Sequence, residues 1–451
     1  MTELEPLYTA AEMRAAEERY SGSVDELMER AGAAVARVAL DLFGDKRRWT
    51  VVCGGGANGG DGRIAARELE RAGRDVHIVD AKAGESDFGD PEAIIDALFG
   101  TGFAGEPRPA ASALIEHMNE SGVPVLAVDL PSGVDASTGE IAGAAVKAQT
   151  TVTFHGRKVG LVVAPGRFHA GVVHVADIGL EHVDTEHRFA TVALLRSVPR
   201  RHEGDNKYTA GHVLVVGGSP GLTGAPSLTA MAALRADAGY VTLAAPEETL
   251  PVLEQRLVEV VKRPLPDDLS ELAAKASSLA IGPGLGRSEA AHSLVRRTLA
   301  EIALPAVVDA DALYELEPGD WPAPRVLTPH EGELARLLGR ESKEIAAHRI
   351  ASVREAVDRF RCVVLLKGPD TLVAAPGRGL IVVALGLPSL ATAGTGDVLT
   401  GILGAFLAKR MEPQLAAAAA AAAQQRASVE ASQRAGLIAS DVIEALPRAL
   451  R

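Results

Sequence analysis

Short apolar runs alternate with longer segments of helical periodicity along most of the chain. This alternation predicts βαβ units and a mostly parallel sheet. In the first part of the chain we predict strands at 49–53, 75–80, 93–98 and 124–129, with further β-rich runs at 150–154, 159–163 and 172–176. In the second part we predict a strand at 211–218, a helix at 226–239, and further strands at 240–245, 278–282, 305–310, 325–329, 362–368, 371–375 and 381–385.

A polar stretch interrupts this alternation near the middle of the chain. The segment EHVDTEHRF at 181–189 is followed by RSVPRRHEGDNKY, and neither fits a strand or an amphipathic helix. Since 451 residues suggest two to four domains, we place a boundary near 185–205. We predict one domain over 1–195 and a second over 196–451, of different α/β types because no repeat relates them.

The end of the chain is predicted to be helical. The alanine tract at 416–423 is flanked by Gln and Arg, which indicates a packed helix. Ser440 is expected to cap the last helix, and Pro447 is expected to mark its end.

Charge and composition narrow the range of partners. The formal net charge of −13 argues against nucleic acid or an anionic membrane, because neither is attracted to an acidic surface. No run approaches the roughly 18 apolar residues of a membrane span, and the acidic N-terminus does not resemble a signal peptide. Cys53 and Cys362 lie in apolar runs and are expected to be buried thiols in a reducing cytosol. We therefore expect a cytoplasmic protein.

The segment CGGGANGGDG at 53–62 contains a G-x-G-x-x-G pattern after a predicted strand. Asp80 follows at the offset of a ribose-binding carboxylate, so the pattern fits a dinucleotide-binding dehydrogenase. However, the loop also carries Asn58 and Asp61. A carboxylate at Asp61 would repel a pyrophosphate bound directly on the loop, which argues against that hypothesis.

Polar side chains from three loops are predicted to share one edge of the first sheet, since ligands of open α/β sheets bind beyond the carboxyl ends of the strands. Asn58, Asp96 and Ser132 each offer an oxygen, which suits an alkali or alkaline-earth cation. Asp129 is then a free carboxylate in the same crevice and a candidate general acid or base. For any single aspartate, loop capping is the simpler explanation; three such loops in series favour a site.

The segments CGGGANGGDG, DALFGTGF and AVDLPSGVDASTG, in this order, resemble the signature loops of NAD(P)H-hydrate epimerases. MRAAEERYSGSVDELMERAGAAVA resembles the N-terminal helix pair of that domain, and TVTFHGRKVGL followed by HVADIGL resembles its end. The resemblance implies a potassium ion held by Asn58, Asp96 and Ser132. It also implies substrate contacts from Ala57, Asn58, Gly59, Gly60, Asp61, Gly100, Thr101, Gly102, Phe103, Ala104, Gly105, Glu106 and Asp129.

Two positions depart from this epimerase pattern. Ala57 stands where the family usually has the first of two adjacent asparagines, and Gln149 stands where it often has an aspartate. The change at Ala57 removes one expected hydrogen bond to the substrate. It therefore keeps open the alternative that the first half is a non-catalytic interaction domain.

The segment ATAGTGDVLTGILGAFLA at 391–408 leads from small residues into an apolar helix. A helix N-terminus presents free N–H groups and positive potential, so it can stabilise a transferring phosphoryl group while Asp397 takes a proton from the acceptor hydroxyl. The alternative is that Asp397 simply caps the helix. G-x-G-D entering such a helix resembles the signature of the ribokinase-like superfamily.

Two further loops fit the same superfamily. LKGPDT places Lys367 and Gly368 where they would meet a nucleotide phosphate, although Lys367 would equally fit an exposed turn. LTPHEGELARLLG places His330 at a strand end just before a helix, where it would contact a ligand or serve only as part of the helix cap.

Within the superfamily, the segments NKYTAGHVLVVGGSPGLTGAPSLTAMAALRADAGYVTLA, IGPGLG, TPHEGE, KGPDT and ATAGTGDVLTG resemble ADP-dependent NAD(P)H-hydrate dehydratases. The resemblance implies Asp397 as the catalytic carboxylate. The implied substrate contacts are Asp397, Ala225, Gly284, Gly286 and His330, and the implied nucleotide contacts are Lys367, Gly368, Pro369, Asp370, Thr371 and Gly396.

Together the two resemblances imply a bifunctional enzyme that repairs NADH or NADPH hydrated at C6 of the nicotinamide. The first half would interconvert the R and S hydrates, and the second would use ADP to dehydrate the S hydrate, leaving AMP and phosphate. The implied cofactors are K⁺ and Mg²⁺, and the implied assembly is a homo-oligomer, a tetramer or higher. The expected fold class is α/β, with two Rossmann-like three-layer domains, the second ribokinase-like.

Two rival functions stay open at this point. An ATP-dependent kinase of a small metabolite, fused to a dinucleotide-binding module, would yield a stable phosphorylated product. The dehydrogenase suggested by the opening glycine pattern would need a second substrate and no ADP.

Overall fold

The computed structural model describes residues 3–433 and 435–451, and the chain separates into two compact units. The first unit is Pro6–His187. The second is Arg188–Arg451 together with the start of the chain through Glu5.

The first unit is built around a six-stranded parallel sheet in the order β3-β2-β4-β5-β6-β8. β1 pairs with β7 in parallel register, outside this six-stranded sheet. From the start of the chain, the elements are β1 (Leu4–Tyr8), α1 (Ala10–Arg19), α2 (Val24–Phe43), β2 (Arg48–Cys53), α3 (Ala57–Arg71), β3 (Asp75–Asp80), β4 (Ala93–Ala97), α4 (Pro109–Glu120), β5 (Val125–Val128), β6 (Thr150–Phe154), β7 (Arg157–Lys158), α5 (Arg167–Ala170) and β8 (Val172–Ala176).

The helices of the first unit begin where the sequence provides caps. Thr9 and Glu12 form a capping box at the start of α1, and Ser23 accepts a hydrogen bond from the Glu26 N–H at the start of α2. Strands β2, β4 and β5 are buried almost throughout, as expected for a parallel sheet that is covered on both faces.

The second unit contains a longer sheet with the strand order β12-β11-β10-β13-β14-β15-β16-β17-β18-β9. Only β17 runs antiparallel to its neighbours, β16 and β18. Its elements are β9 (His187–Ala190), β10 (His212–Val216), α6 (Gly224–Arg235), β11 (Tyr240–Ala245), α7 (Leu250–Arg256), β12 (Val261–Pro264), α8 (Ser270–Ala273), β13 (Ser278–Ile281), α9 (Glu289–Glu301), β14 (Ala306–Val308), β15 (Arg325–Leu327), α10 (Glu331–Leu338), α11 (Ser342–Ala347), α12 (Arg349–Phe360), β16 (Val363–Leu366), β17 (Thr371–Ala374), β18 (Ile381–Val383), α13 (Thr395–Ala408), α14 (Pro413–Glu430) and α15 (Ala439–Ala449).

Small residues let the helices of the second unit pack closely. A Cβ atom on Gly401 of α13 would lie 2.1 Å from the carbonyl oxygen of Thr229 on α6, so glycine is required at this crossing. The alanines at 416–423 are at most 1% exposed, which confirms the predicted packed helix. The predicted α/β class with parallel sheets is confirmed as well.

Some details of the predicted secondary structure are wrong. The run at 159–163 is not a strand; it follows β7 as a turn of 3-10 helix at Val159–Leu161, because an apolar run predicts burial and not a particular backbone form. Strands β1, β9 and β12 were not predicted. They lack a fully buried face, so their hydrophobic pattern is weak.

The predicted ends of the last helix are also wrong. Ser440 lies inside α15, and the cap is formed by Asp441, which accepts a hydrogen bond from the Ile438 N–H at 2.9 Å. The helix continues past Pro447, because the burial of Leu446 and Ala449 holds its last turn in place.

Cys53 and Cys362 are both buried and free, as predicted. Burial raises the pKa of the Cys53 thiol to about 11 and that of Cys362 to about 12. Neither is therefore a reactive thiolate at neutral pH. Among the residues that the structure describes, no helix has the length and apolar character needed to cross a membrane.

Candidate active sites

Asp129 lies immediately after β5, at the carboxyl edge of the first sheet, with its backbone in the left-handed region at a φ of 66°. Its side chain is 7% exposed. Lys158 Nζ donates to Asp129 Oδ1 at 2.6 Å, and Thr153 Oγ1 donates to the same oxygen at 3.0 Å. Sequence analysis singled out Asp129 but not Lys158, which stands in the quoted segment TVTFHGRKVGL.

Two more carboxyl groups face Asp129. Asp61 lies on the first turns of α3. Burial, followed by the charges of Asp129 and Glu17, raises its pKa to about 8 against the opposing effect of Lys158. Burial followed by the charge of Asp129 also raises the pKa of Glu17 on α1. Asp61 is therefore largely protonated at neutral pH. It lies near Asp129, whose carboxylate is paired with the ammonium group of Lys158.

The three predicted cation ligands converge near the backbone of Phe99. Ser132 donates to the Asp96 carboxylate twice, from its backbone N–H at 2.8 Å and from Oγ at 2.6 Å. The Phe99 N–H donates to Ser132 Oγ at 2.9 Å, and Asn58 Nδ2 donates to the Phe99 carbonyl oxygen at 2.9 Å. The side-chain oxygen of Asn58 stays available as an acceptor.

Asp96 is fully buried, and burial raises its pKa to about 6, opposed by the hydrogen bonds from Ser132. No described residue forms an ion pair with it. Asp96 contacts Ser132 directly, and Ser132 and Asn58 are linked through the backbone of Phe99. Carboxylate, hydroxyl and amide oxygens are ligands that suit one hard cation. The residues therefore fit the implied potassium ion.

The carboxylate of Asp80, which the dehydrogenase hypothesis assigned to a ribose, is bound by groups of the protein itself. Arg63 Nη2 donates to its carboxylate at 2.6 Å, and the same carboxylate accepts from the N–H groups of Lys82 and Ala83.

Ala57 is the exposed first residue of α3. In the turn at 100–106, the ring of Phe103 stacks on that of Phe99 with centroids 4.6 Å apart.

In the second unit, Asp397 lies in the first turn of α13, after Gly394, whose φ is 87°. No side chain in the described part of the chain caps this helix. Asp397 is therefore not the capping residue that the simpler hypothesis required, and the N–H groups of the first turn have no side-chain partner.

The environment of Asp397 favours its neutral form. Burial, together with the negative charges of Asp309, Asp311 and Glu333, raises the pKa of Asp397 to about 7, and the positive charge of Lys367 opposes this shift. Thr229 Oγ1 donates to the Asp397 carbonyl oxygen at 3.1 Å, which ties the start of α13 to α6. A carboxyl group with a pKa near neutrality is suited to proton transfer.

An ion pair between the partly buried Lys367 and the buried Asp309 lies near Asp397. Lys367 Nζ donates to Asp309 Oδ1 at 2.9 Å and is 3.8 Å from Glu333 Oε2. Thr400 Oγ1, one helical turn along α13, donates to Asp309 Oδ2 at 2.6 Å. Burial disfavours the charged form of Asp309, yet Lys367 and these hydrogen bonds hold its pKa below the usual value. Sequence analysis missed Asp309, which ends the predicted strand at 305–310.

His330 is the N-cap of α10. Its Nδ1 accepts from the N–H groups of Gly332 at 3.0 Å and Glu333 at 3.3 Å, so Nε2 carries the proton. The Glu333 carboxylate in turn accepts from the His330 N–H at 2.9 Å. Nδ1 therefore caps the helix, while Nε2 lies 3.5 Å from Glu333 Oε1 on a ring that is 56% exposed. The capping hypothesis is borne out, and the exposed ring leaves room for the hypothesis of a ligand contact.

The remaining predicted contacts lie on tightly built loops. Gly284 and Gly286 have φ values of 66° and 79°, and Ser219 Oγ donates to the Gly284 carbonyl oxygen at 2.9 Å. Ala225 lies in the first turn of α6. In the loop at 367–371, Asp370 is fully buried, and Arg349 donates to its carbonyl oxygen at 2.8 Å. The side chain of Asp370 is therefore better placed to shape the loop than to meet a nucleotide.

Comparison with known proteins agrees with this geometry. A family model described as NAD(P)H-hydrate dehydratase matches residues 213–448, and one described as the N-terminus of YjeF-related proteins matches 24–86 and 79–160. The chain is 38% identical to a bifunctional NAD(P)H-hydrate repair enzyme of Moorella thermoacetica, across 99% of this chain and 96% of that protein. It is 36% identical to the enzyme of that name from Escherichia coli, across 94% and 89%.

A solved structure also matches the second unit. It is the ADP/ATP-dependent NAD(P)H-hydrate dehydratase from Bacillus subtilis, co-crystallised with ATP and Mg²⁺. The TM-score is 0.53 at 28% identity, over 57% of this chain and 96% of that one. The chain thus belongs to the family of bifunctional NAD(P)H-hydrate repair enzymes, with an epimerase domain followed by a dehydratase domain.

Proposed function

We propose that the dehydratase domain transfers a phosphoryl group from ADP to the C6 hydroxyl of the S hydrate, with Asp397 as the base. The observation that carries the proposal is a buried carboxyl group with a pKa of about 7 in the first turn of an uncapped helix. The helix N-terminus stabilises the negative charge of the transferring group. The Bacillus subtilis relative, named as ADP/ATP-dependent, supports the choice of nucleotide.

The chemistry follows from the leaving groups. Asp397 takes the hydroxyl proton as the hydroxyl oxygen bonds to the β-phosphorus of ADP, and the bond from that phosphorus to the bridging oxygen breaks to release AMP. The nitrogen lone pair then expels phosphate from C6, and loss of a proton from C5 restores the dihydronicotinamide. Hydroxide would leave badly in that last step, whereas phosphate leaves well. ADP is expected as its Mg²⁺ complex, which neutralises phosphate charge.

The residues around Asp397 receive proposed roles from their positions. Lys367, fixed by Asp309, is the phosphate-binding cation. We assign nucleotide contacts to Lys367, Gly368, Pro369, Thr371 and Gly396, and to Asp370 through its backbone, since its side chain is buried. Substrate contacts are assigned to Ala225, Gly284, Gly286 and His330. We infer that residues 196–451 carry this activity and residues 1–195 carry the epimerase.

For the epimerase we propose that Asp129 is the base. The C6 hydrate is a hemiaminal, so removal of its hydroxyl proton allows the C6–N1 bond to break and give an aldehyde. The freed nitrogen takes a proton, the chain end rotates, and reclosure on the opposite face inverts C6 and returns both protons. A potassium ion held by Asn58, Asp96 and Ser132 would fix the loops that contact the substrate.

Substrate contacts in the epimerase domain are assigned to the loop at 57–61, to the turn at 100–106 and to Asp129. The family resemblance further supports a homo-oligomer, a tetramer or higher, in the cytoplasm.

Two variants test the division of labour. Asp397→Asn is expected to abolish ADP-dependent recovery of NADH while interconversion of the hydrates persists. Asp129→Asn is expected to repair only the S fraction of a mixture rapidly. If Asp129→Asn repairs both epimers at the parent rate, Asp129 is not the base; if Asp397→Asn recovers NADH at the parent rate, the proposed phosphoryl transfer is wrong.

A further inference from the structure

Lys158 is a fully buried lysine in the first unit, with 0% of its surface exposed. Its ammonium group donates to Asp129 Oδ1 at 2.6 Å, to Thr153 Oγ1 at 2.9 Å and to the Phe154 carbonyl oxygen at 2.9 Å. These three bonds use all of its N–H groups. Lysine is almost never buried unless it is paired, and here every donor is occupied inside the protein.

The local backbone is shaped to bring Lys158 to this position. After β6, His155 has a φ of 66°, and a Cβ atom on Gly156 would lie 2.4 Å from the ring of Tyr8. This tight turn carries the chain into β7, which pairs with β1 in parallel register. The ammonium group consequently returns to the end of β6, beside the carboxylate that follows β5.

Three carboxyl groups, Asp129, Asp61 and Glu17, lie near this buried cation. The charge of Asp129 disfavours the charged forms of Asp61 and Glu17, and Glu17 disfavours that of Asp61. Among the described residues, Asp129 is the member of this cluster that forms an ion pair with Lys158. Leaving a buried ammonium without its carboxylate is strongly unfavourable, so the ion pair fixes the negative charge of the cluster on Asp129.

We propose that Lys158 is a positioning residue of the epimerase that holds Asp129 as the ionised base and thereby leaves Asp61 as the acid that carries the proton. This inference rests on the epimerase function proposed above. Lys158 acts through Asp129, because none of its donors is free for the substrate. In the ring-opening step, Asp129 takes the hydroxyl proton and Asp61 protonates N1 as the C6–N1 bond breaks. Reclosure reverses both transfers, so the two groups return to their starting states.

The raised pKa of Asp61 supports this division. Its pKa of about 8 lies above the ordinary value, so Asp61 holds its proton at pH 7 and loses it as the pH rises through about 8. When two neighbouring carboxyl groups have different pKa values, one often serves as the acid and the other as the base of the reaction. Glu17 on α1 and Lys158 on β7 are the charged groups that act on Asp61 together with Asp129. Arg14 on α1 acts on Glu17, and His155, in the turn after β6, lies near Lys158.

The test compares Lys158→Met with the parent enzyme and with Lys147→Met, which removes an exposed lysine of the same unit. The R hydrate is prepared by letting Asp129→Asn and ADP consume the S hydrate from a mixture. Conversion of R to S is then followed across pH 6–9 by adding excess Asp129→Asn as the dehydratase. The parent rate in this assay tests the epimerase function itself, separately from the role of Lys158.

Lys158→Met is expected to lower kcat at pH 7 at least tenfold, with little change in KM. The loss should become smaller at higher pH, where negative charge forms in the cluster without its cation. Lys147→Met should behave as the parent. A parent-like rate and pH profile in Lys158→Met would overturn the proposal. So would an equal loss at every pH, because that pattern indicates a purely structural role.

A second measurement does not depend on whether a variant of Lys158 folds. Carboxyl-labelled aspartate in the parent enzyme allows Asp61 and Asp129 to be titrated by ¹³C NMR, with assignments from Asp61→Asn and Asp129→Asn. The proposal requires Asp129 to be ionised and Asp61 to be protonated at pH 7. The opposite assignment, or two ionised groups, would refute it.

Discussion

The pH dependence of the dehydratase follows from the environment of Asp397. Burial and the neighbouring negative charges place its pKa at about 7. As the base, Asp397 must be ionised, so kcat should rise with pH. About one tenth of the groups are ionised at pH 6 and about nine tenths at pH 8 if the pKa is about 7. We therefore expect kcat to rise almost tenfold between these values and then to level off.

Replacing Asp397 by the isosteric asparagine removes the base and keeps the shape of the site. General-base catalysis contributes about 10² to 10⁴ in rate, which corresponds to about 3–5 kcal/mol of activation free energy. The KM values for ADP and hydrate should change little, since the helix N-terminus and Lys367 are untouched.

The assay follows the absorbance of restored NADH from purified S hydrate at saturating ADP and Mg²⁺. Saturation is needed because a terminal phosphate itself titrates near pH 6. Glu333→Gln is a useful comparison, because it removes one charge that raises the pKa of Asp397 and should shift the midpoint to lower pH. A flat kcat between pH 6 and 8, or more than a tenth of the parent kcat in Asp397→Asn, would refute the assignment of Asp397 as the base.

Three further predictions concern other parts of the chain. Ala57→Asn places a hydrogen-bond donor at the exposed start of α3. Because one hydrogen bond contributes about 0.5–1.5 kcal/mol, the kcat/KM of epimerisation should rise about 2- to 10-fold. A lower kcat/KM would contradict the proposed contact with the substrate. Asp96→Asn should abolish the stimulation of epimerisation by K⁺ over Li⁺ while dehydration is unchanged, and an undiminished K⁺ response would exclude this site. Gly401→Ala places a methyl group 2.1 Å from the Thr229 carbonyl oxygen and should lower the free energy of unfolding of the second unit by about 1–3 kcal/mol. Denaturant titration measures this, with Gly404→Ala, whose nearest contact would be 3.2 Å, as the milder control; equal stability of the two variants would contradict the packing argument.

Much of the fold was predictable because buried parallel strands form continuous apolar runs. The buried strand at 150–154 agrees with the structure residue for residue. The strands at 75–80 and 172–176 also agree, although most of their residues are not buried, because their valines and isoleucine favour strands. Strand-end loops were predictable for a related reason: polar side chains and glycines directly after such runs stand out. This is how Asp129, Asp96 and Ser132 could be placed at one edge of a sheet before the structure was known.

The residues that form ion pairs with these site residues were harder to predict from the sequence. Lys158 lies 29 positions from Asp129, and their ion pair depends on a turn with positive φ at His155, which no hydrophobic pattern indicates. Asp309 ends an apolar run and was counted as part of a strand; its contact with Lys367 spans 58 positions. Long-range polar contacts of this kind depend on tertiary packing, so a single sequence gives their residue types but not their pairing.

The glycine pattern at 53–62 shows that a sequence motif can also predict the wrong function. It satisfied the formal requirements of a dehydrogenase, including Asp80. In the structure, the Asp80 carboxylate is engaged by Arg63, and the helix that follows the loop buries Asp61. The family relationship then replaces the dehydrogenase and metabolite-kinase hypotheses with repair of hydrated NAD(P)H.

The most direct test of the whole account is the yield from a mixture of R and S hydrates of NADH given to the purified parent enzyme with ADP, Mg²⁺ and K⁺. We predict complete recovery of NADH from both epimers, with one AMP and one phosphate formed per NADH. Recovery that needs no ADP would contradict the proposed chemistry of Asp397, and recovery that stops when the S fraction is exhausted would contradict the proposed epimerase.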